Sequence, residues 1–185
     1  MRDIAVVLFF VAASVAAFRR PFYGALLWVL FGLMNPHRMT YDFAFSLPFA
    51  QMTVIVTVLA ALRRRQEMRW PRGMPIVLLL FFIAWMGVST ATAIVAGPSF
   101  DKYVDVLKVL GMTVFVAALI RTREEIISLV WVMVLSIGFF GFKGGLFTIA
   151  TGGSHRVWGP PNSLVEGNNE LAVALVMTIP LIYFL

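Results

Sequence analysis

The chain of 185 residues is 61% hydrophobic and only 13% charged, and its mean hydropathy is +0.90. Soluble domains carry about 25% charged residues, so this composition places the chain in lipid. The net charge of +6 does not indicate nucleic-acid binding, because the arginines stand in short clusters between apolar segments. The absence of cysteine excludes disulfides, thiolate metal ligands and a cysteine nucleophile.

Seven apolar segments predict an all-α, polytopic transmembrane fold that forms one helical domain over residues 1–185. They lie at residues 4–18, 22–34, 47–62, 74–96, 103–120, 126–150 and 171–185. A membrane span needs about 20 apolar residues, so the fourth and sixth segments qualify and the third and fifth are marginal. The first segment is interpreted as a retained membrane helix, because it ends in two arginines instead of a signal-peptide cleavage site.

The first two segments are short, and Arg19-Arg20-Pro21 divides them. They are either two tilted short helices or a hairpin that enters and leaves the same face. Burying each arginine at mid-membrane would cost at least about 2.5–3.5 kcal/mol, which favours two spans.

The distribution of basic residues predicts the orientation. Alternate loops hold nine basic residues, whereas the opposite loops hold only Arg38, Lys102 and Arg156. Because basic loops of membrane proteins are cytoplasmic, the N-terminus and residues 151–169 are expected on the periplasmic side of a bacterial inner membrane. The most basic loop, residues 63–72, is expected to anchor this topology and to bind anionic membrane lipid.

The last segment ends in "MTIPLIYFL" without a polar flank. A helix that stops inside its own apolar run is typical of a truncated chain. We therefore expect these residues to be the N-terminal part of a longer membrane protein.

The stretch "GGSHRVWGPPNSLVEGNN", residues 152–169, is the longest polar stretch of the chain. Its glycine pair is expected to end the sixth helix, and its proline pair to keep the centre of the loop non-helical. Asn168 or Asn169 is expected to cap the seventh helix, with Glu170 in the first turn.

Two cations near this loop are candidates for binding an anion. A helix N-terminus at the membrane surface favours an anion, and Arg156 can donate two N–H groups to a phosphate, so the loop predicts a site for a lipid-linked phosphate or pyrophosphate. The alternative is an ordinary solvated loop. Lys143 lies among glycines in the outer half of the sixth segment, either facing the same cavity as Arg156 or extending to the outer headgroups.

Further polar residues are candidates for lining a groove. Asp105 and Lys108 are three residues apart and therefore neighbours on one helical face, where they either line a wet groove for a headgroup or form a compensated pair at a helix end. His37 and Arg38 in "NPHRMTYDF" are further groove-lining candidates, although a histidine there is more often a plain interfacial residue. No set of His, Asp and Glu has metal-ligand spacing, so no metal and no other cofactor is predicted.

Two stretches carry a resemblance to a known family. Residues 19–50, "RRPFYGALLWVLFGLMNPHRMTYDFAFSLPFA", resemble the start of the O-glycosylation ligases associated with exosortase A systems. Residues 152–185 resemble the Arg–Gly–Pro–Asn-type motif of the same group, within the broader O-antigen ligase and polymerase superfamily. The resemblance covers the whole chain, as the N-terminal region of that family.

The resemblance implies a metal-independent glycosyltransferase of the bacterial inner membrane. Such enzymes transfer a glycan from an undecaprenyl-pyrophosphate carrier to an acceptor on the periplasmic face, and arginines bind the pyrophosphate of the donor. The matching position here is Arg156, with Asn168 and Asn169 in the same motif, and Lys143 is expected to assist. The catalytic base of the family, a histidine in a large periplasmic loop, is expected beyond Leu185, so residues 1–185 alone are expected to be inactive.

Two other classes of function stay open. A transporter or flippase subunit would use Lys108 and Lys143 as pathway charges and would have no catalytic step. Transporters are often built from repeats, and the sequence shows no internal repeat. A non-catalytic membrane scaffold for polysaccharide export is the third interpretation, and transfer of a lipid-linked glycan separates the enzyme from both rivals.

Overall fold

The computed structural model describes residues 2–161, 163 and 165–185. Within these residues the chain is all-α, as predicted, with seven α-helices and no strand. The helices are α1 (Arg2–Arg19), α2 (Pro21–Leu33), α3 (Phe49–Arg63), α4 (Met74–Ala91), α5 (Ala96–Leu119), α6 (Arg123–Ala150) and α7 (Asn168–Phe184). Short 3-10 turns occupy Pro36–Met39, Phe43–Ser46 and Arg65–Glu67.

The boundary between the fourth and fifth apolar segments was predicted wrongly. α4 ends at Ala91 and α5 already begins at Ala96, so the stretch "GPSFDKYVD" is helical and not an outer loop. The first turn of a helix tolerates Pro98 because its N–H groups have no intrahelical acceptor. Because the residues of this turn are polar, hydropathy does not mark the turn as helical.

Among the described residues, two helices are long and apolar enough to cross a membrane: α4 with 18 residues and α6 with 28. α2, α3 and α7 are shorter apolar helices. At 1.5 Å per residue, α6 is about 42 Å long, whereas the hydrocarbon core of a bilayer is about 30 Å thick. α6 therefore has room for polar residues at its ends.

The described helices form two compact units. One contains α1, α2, α3, α6 and α7, and the other contains α4 and α5. In the first unit, Phe10, Phe31 and Phe49 form an aromatic core, with ring centroids 5.8 Å apart for Phe10–Phe31 and 5.1 Å for Phe31–Phe49. The edge-to-face and stacked contacts fix α1, α2 and the start of α3 against one another.

Small residues bring α2 and α3 close together. The backbone of Gly24 lies directly against the side chain of Thr57, whose Cβ would be 3.0 Å from a methyl group added at position 24. Thr57 and Thr53 are fully buried, and each hydroxyl donates to the carbonyl four residues earlier. Packing through small and hydroxyl-bearing residues is the way in which helices associate in lipid, where burial of apolar surface provides no driving force.

The first turn of α6 carries a capping box. The Thr122 hydroxyl accepts a hydrogen bond from the Glu125 N–H at 3.3 Å, and the Glu125 carboxylate accepts one from the Thr122 N–H at 3.3 Å. The same carboxylate accepts a hydrogen bond from the guanidinium of Arg20 at 2.9 Å. The break between α1 and α2 and the start of α6 therefore lie at one end of the first unit.

In the second unit, α4 and α5 pack at Gly87. The Tyr103 hydroxyl donates to the Ile83 carbonyl at 3.4 Å and would lie 3.1 Å from a methyl group added to Gly87. At the other end of the unit, the Arg69 N–H donates to the Ala118 carbonyl at 2.8 Å, and the Arg121 guanidinium donates to the Gln66 carbonyl at 2.7 Å. The basic segment after α3 thus lies at the end of the unit where α5 ends.

Candidate functional site

The polar loop after α6 begins with two residues in the left-handed region. Gly152 and Gly153 have φ angles of 60° and 78°, and the Gly153 N–H donates to the Thr148 carbonyl at 2.9 Å. L-residues with a Cβ adopt such angles at a cost, whereas glycine does not. The prediction that this glycine pair ends the sixth helix is confirmed.

The two limbs of the loop meet at a glycine. The Gly159 N–H donates to the Glu166 carbonyl at 2.9 Å, and a Cβ at position 159 would collide with the backbone of Val165. Only glycine therefore allows this approach. Residues 162 and 164, between the two limbs, lie outside the described residues.

The loop then folds back onto α6 at Gly144. A methyl group added to Gly144 would lie 2.6 Å from Val157 Cγ1, so the loop occupies the space that any larger residue would need. One turn earlier, Gly141 receives Leu175 of α7 in the same way, also at 2.6 Å. Gly145, in contrast, has no atom within 4 Å of such a methyl group.

The contact between Val157 and Gly144 sets the positions of the two predicted cations. Arg156 precedes Val157, and Lys143 precedes Gly144, so the two cations flank a pair of residues in van der Waals contact. Both side chains are exposed. Neither forms a hydrogen bond or an ion pair with another residue in the described part of the chain. The anion-binding role of these two residues stays a prediction.

Lys143 lies at headgroup depth if α6 spans the bilayer. It follows Arg123 by 20 residues, which corresponds to about 30 Å along the helix axis. That rise is about the thickness of the hydrocarbon core, so the charge reaches the opposite interface without being held at mid-membrane. Two roles were predicted as alternatives for Lys143: facing the same cavity as Arg156, and extending to the headgroups. At this depth the two roles are compatible with each other.

The start of α7 differs from the sequence prediction. The N-cap is Gly167, and it makes no side-chain capping bond, so the prediction of an asparagine cap was wrong. Asn168 and Asn169 are the first two helical residues, and their donor-binding role stays a prediction. Glu170 lies in the first turn, as expected, and its carboxylate packs against Gly167 so closely that a Cβ there would collide with it. The carboxylate is favourable at the positive end of the helix.

His37 is a core residue and not an interfacial one. It is 4% exposed, and its ring centroid lies 5.9 Å from that of Phe31 and 5.3 Å from that of Phe49. Burial, followed by the charge of Arg38, lowers the pKa of His37 to about 4. The imidazole is therefore neutral at pH 7. Its groove-lining role stays a prediction.

Arg38 lies beside this core, and its groove-lining role stays a prediction. Its guanidinium stands 4.9 Å from the ring centroid of Phe45, a cation–π contact. The adjacent loop is held by Asp3, whose buried carboxylate accepts a hydrogen bond from the Ala44 N–H at 3.2 Å. Sequence reasoning assigned Asp3 no role, and only its place beside the start of the first apolar segment could have pointed to one.

Asp105 and Lys108 form the ion pair that their spacing predicts. Lys108 Nζ donates to Asp105 Oδ1 at 2.9 Å, and both side chains are more than half exposed. An exposed pair of this kind contributes about 0–1 kcal/mol to stability. Its groove-lining role stays a prediction.

The loop histidine, His155, has local partners only. Its Nδ1 lies 2.8 Å from the Ser154 hydroxyl, and its ring meets the edge of Phe147 at 6.1 Å between centroids. Among the described residues, no three His, Asp or Glu side chains come together as a metal site.

These features define the class of protein: an all-α chain with two helices that are long and apolar enough to cross a membrane and with an exposed cationic loop docked on one of them. The chain belongs to the family of unknown function DUF5935, which matches residues 1–185. No curated protein matches the chain, and no solved structure matches it.

Proposed function

We propose that this protein supplies the donor-binding part of a membrane glycan ligase, an O-antigen ligase-like glycosyltransferase. The donor is a glycan on a polyprenyl-pyrophosphate carrier, and the acceptor bears a hydroxyl group. The observation that carries the proposal is the docking of Val157 on Gly144, which brings together the chain segments that bear Arg156 and Lys143, and neither cation has a protein partner in the described part of the chain. The resemblance to the O-glycosylation ligases points in the same direction.

The proposed chemistry is substitution at the anomeric carbon of the glycan. The acceptor oxygen forms a bond to that carbon as the bond to the pyrophosphate oxygen breaks, and the electron pair leaves with the polyprenyl pyrophosphate. Arg156 binds phosphate oxygens through two N–H groups, and Lys143 adds a second positive charge. Fixed cations that face the developing negative charge stabilise the transition state. The acceptor proton passes to a base that is not assigned to any described residue.

The proposed topology is seven spans in a bacterial inner membrane, with the N-terminus and residues 151–169 in the periplasm. Two contacts support it. Arg20 meets Glu125 at the start of α6, and Arg121 meets Gln66 in the other unit. Within each unit, basic segments that alternation assigns to the cytoplasmic side therefore lie at the same end.

The experiment measures the lipid-linked donor in a strain that lacks the gene and carries variants of the natural gene product. Loss of ligase activity leaves the glycan on its carrier, exposed to the periplasm, where membrane-impermeant periodate oxidises it in spheroplasts. We expect R156A to accumulate this periodate-accessible donor and R156K to accumulate less, because lysine keeps the charge but not the paired N–H groups. R65A, an exposed arginine on the opposite basic loop, is the matched control.

The same measurement separates the rival functions. A flippase defect would leave the donor on the cytoplasmic side, protected from periodate. A scaffold would tolerate R156A without accumulation, provided that the variant inserts at the wild-type level. Either result would refute the ligase proposal.

A further inference from the structure

An open cleft of about 430 Å³ lies between α4 and α5 in the second unit. The cleft has a polar end, formed by one lysine, one tyrosine and three hydroxyl-bearing residues near the turn between α4 and α5. The remainder of the lining is apolar. The lining residues are Met86, Ser89, Thr90, Ala93, Pro98, Ser99, Lys102, Tyr103 and Val106. We propose that this cleft binds the headgroup of an anionic phospholipid, phosphatidylglycerol, independently of the glycan ligase function.

The polar end offers a positive charge and hydrogen-bond acceptors. Lys102 is exposed and forms no ion pair or hydrogen bond with another described residue. Thr90 and Ser99 already donate their hydroxyl protons to backbone carbonyls, those of Met86 at 2.8 Å and Val95 at 2.7 Å. Their oxygens keep lone pairs for a ligand that donates. The cleft thus fits a ligand that combines an anion with hydroxyl groups.

The surroundings of the cleft indicate a lipid and not a soluble phosphate ester. No residue of α4 is buried, although the helix is apolar enough to cross a membrane. Phe81 and Trp85 stack on its exposed surface, with centroids 6.5 Å apart, one to two turns from the polar end of the cleft. An amphiphile can therefore place its headgroup at Lys102 and its acyl chains along α4.

Phosphatidylglycerol matches this arrangement better than the zwitterionic lipids. Its phosphate carries a net negative charge for Lys102, and its glycerol hydroxyls can donate to Thr90 and Ser99. The ammonium of phosphatidylethanolamine would repel Lys102, and the choline of phosphatidylcholine offers no donor at all. Charge complementarity thus favours phosphatidylglycerol over both zwitterionic lipids.

Native mass spectrometry of the intact protein, released from micelles doped with each of the three lipids, tests the proposal. We expect preferential retention of one phosphatidylglycerol molecule and a roughly tenfold loss of affinity in K102Q, because a charge-assisted contact to phosphate is lost. R2Q is the control: it removes an exposed cation in the other unit, outside the cleft, and should retain the lipid as wild type does.

Three results would overturn the proposal. The first is equal retention of the three lipids by the wild-type protein. The second is wild-type affinity for phosphatidylglycerol in K102Q. The third is displacement of the lipid by soluble glycerol phosphate alone, which would make the cleft a site for a free phosphate ester. T90V provides a second variant, because it removes the Thr90 hydroxyl without changing the charge, and it should weaken the retention of phosphatidylglycerol.

Discussion

Arg20 and Glu125 are joined by a 2.9 Å ion pair between residues that are 105 positions apart in the chain. The Glu125 side chain is 7% exposed, whereas that of Arg20 is 52% exposed. The pair ties the break between α1 and α2 to the capped start of α6. In a membrane, this contact would hold two basic segments at the same face of the bilayer.

Substitutions of Glu125 should separate its ion pair with Arg20 from its part in the capping box of α6. E125Q removes the charge but keeps a side chain that can complete the capping box. We expect a loss of about 1–2 kcal/mol, between the values for an exposed ion pair and for a hydrogen bond to a charged group. E125A also removes the box and should lose about 1 kcal/mol more. Thermal unfolding in detergent measures both variants. E124Q, at the exposed neighbouring residue, is the control, and equal losses in E124Q and E125Q would contradict the structural role.

Gly24 should be the least replaceable glycine of α2. G24A places a methyl group against Thr57, and the overpacking should cost about 1–3 kcal/mol. Gly32 lies on the same helix with no atom within 4 Å of an added methyl group, so G32A should be neutral or stabilising. The unfolding midpoints of the two variants in detergent provide the comparison. Similar midpoints would show that α2 and α3 do not pack through Gly24.

His37 should make the protein less stable in mild acid. Its pKa lies at about 4 in the folded state, below the ordinary value of 6.5. Between these two values the unfolded chain binds more protons, so the stability falls as the pH drops from 6.5 towards 4, by up to about 3 kcal/mol.

Two variants isolate this effect in unfolding measurements between pH 7.5 and 4.5. H37F keeps a ring between Phe31 and Phe49 and should remove most of the dependence on pH. R38Q removes only the smaller cause of the shift and should keep most of the dependence. An unchanged pH profile in H37F would assign the acid sensitivity to another group.

The helices were predictable because their signals are local. Runs of apolar residues bounded by arginines, glycines and prolines marked all seven, and a spacing of three residues gave the Asp105–Lys108 pair. The start of α5 was missed because first-turn polar residues have the composition of a loop. The capping box of α6 was available from the Thr-x-x-Glu pattern at Thr122 and was not used.

Long-range packing was not predictable from the same signals. Nothing near His37 in the sequence shows that Phe31 and Phe49 enclose it, and an isolated histidine in a polar loop has the pattern of a surface residue. The contact of Val157 with Gly144 likewise depends on how the loop folds back onto α6. The sequence identified Arg156 and Lys143 as candidates, but only the fold brings their neighbours into contact.

If the docked loop builds the donor site, substitutions at the adjacent Gly144 and Gly145 should give opposite results. In the donor-accumulation experiment, G144A should behave like R156A, because its methyl group displaces Val157, whereas G145A should match wild type. V157A should restore G144A, since the remaining Cβ lies at an ordinary 3.5 Å. Full complementation by G144A, with no periodate-accessible donor accumulating, would show that the docked loop does not build the donor site.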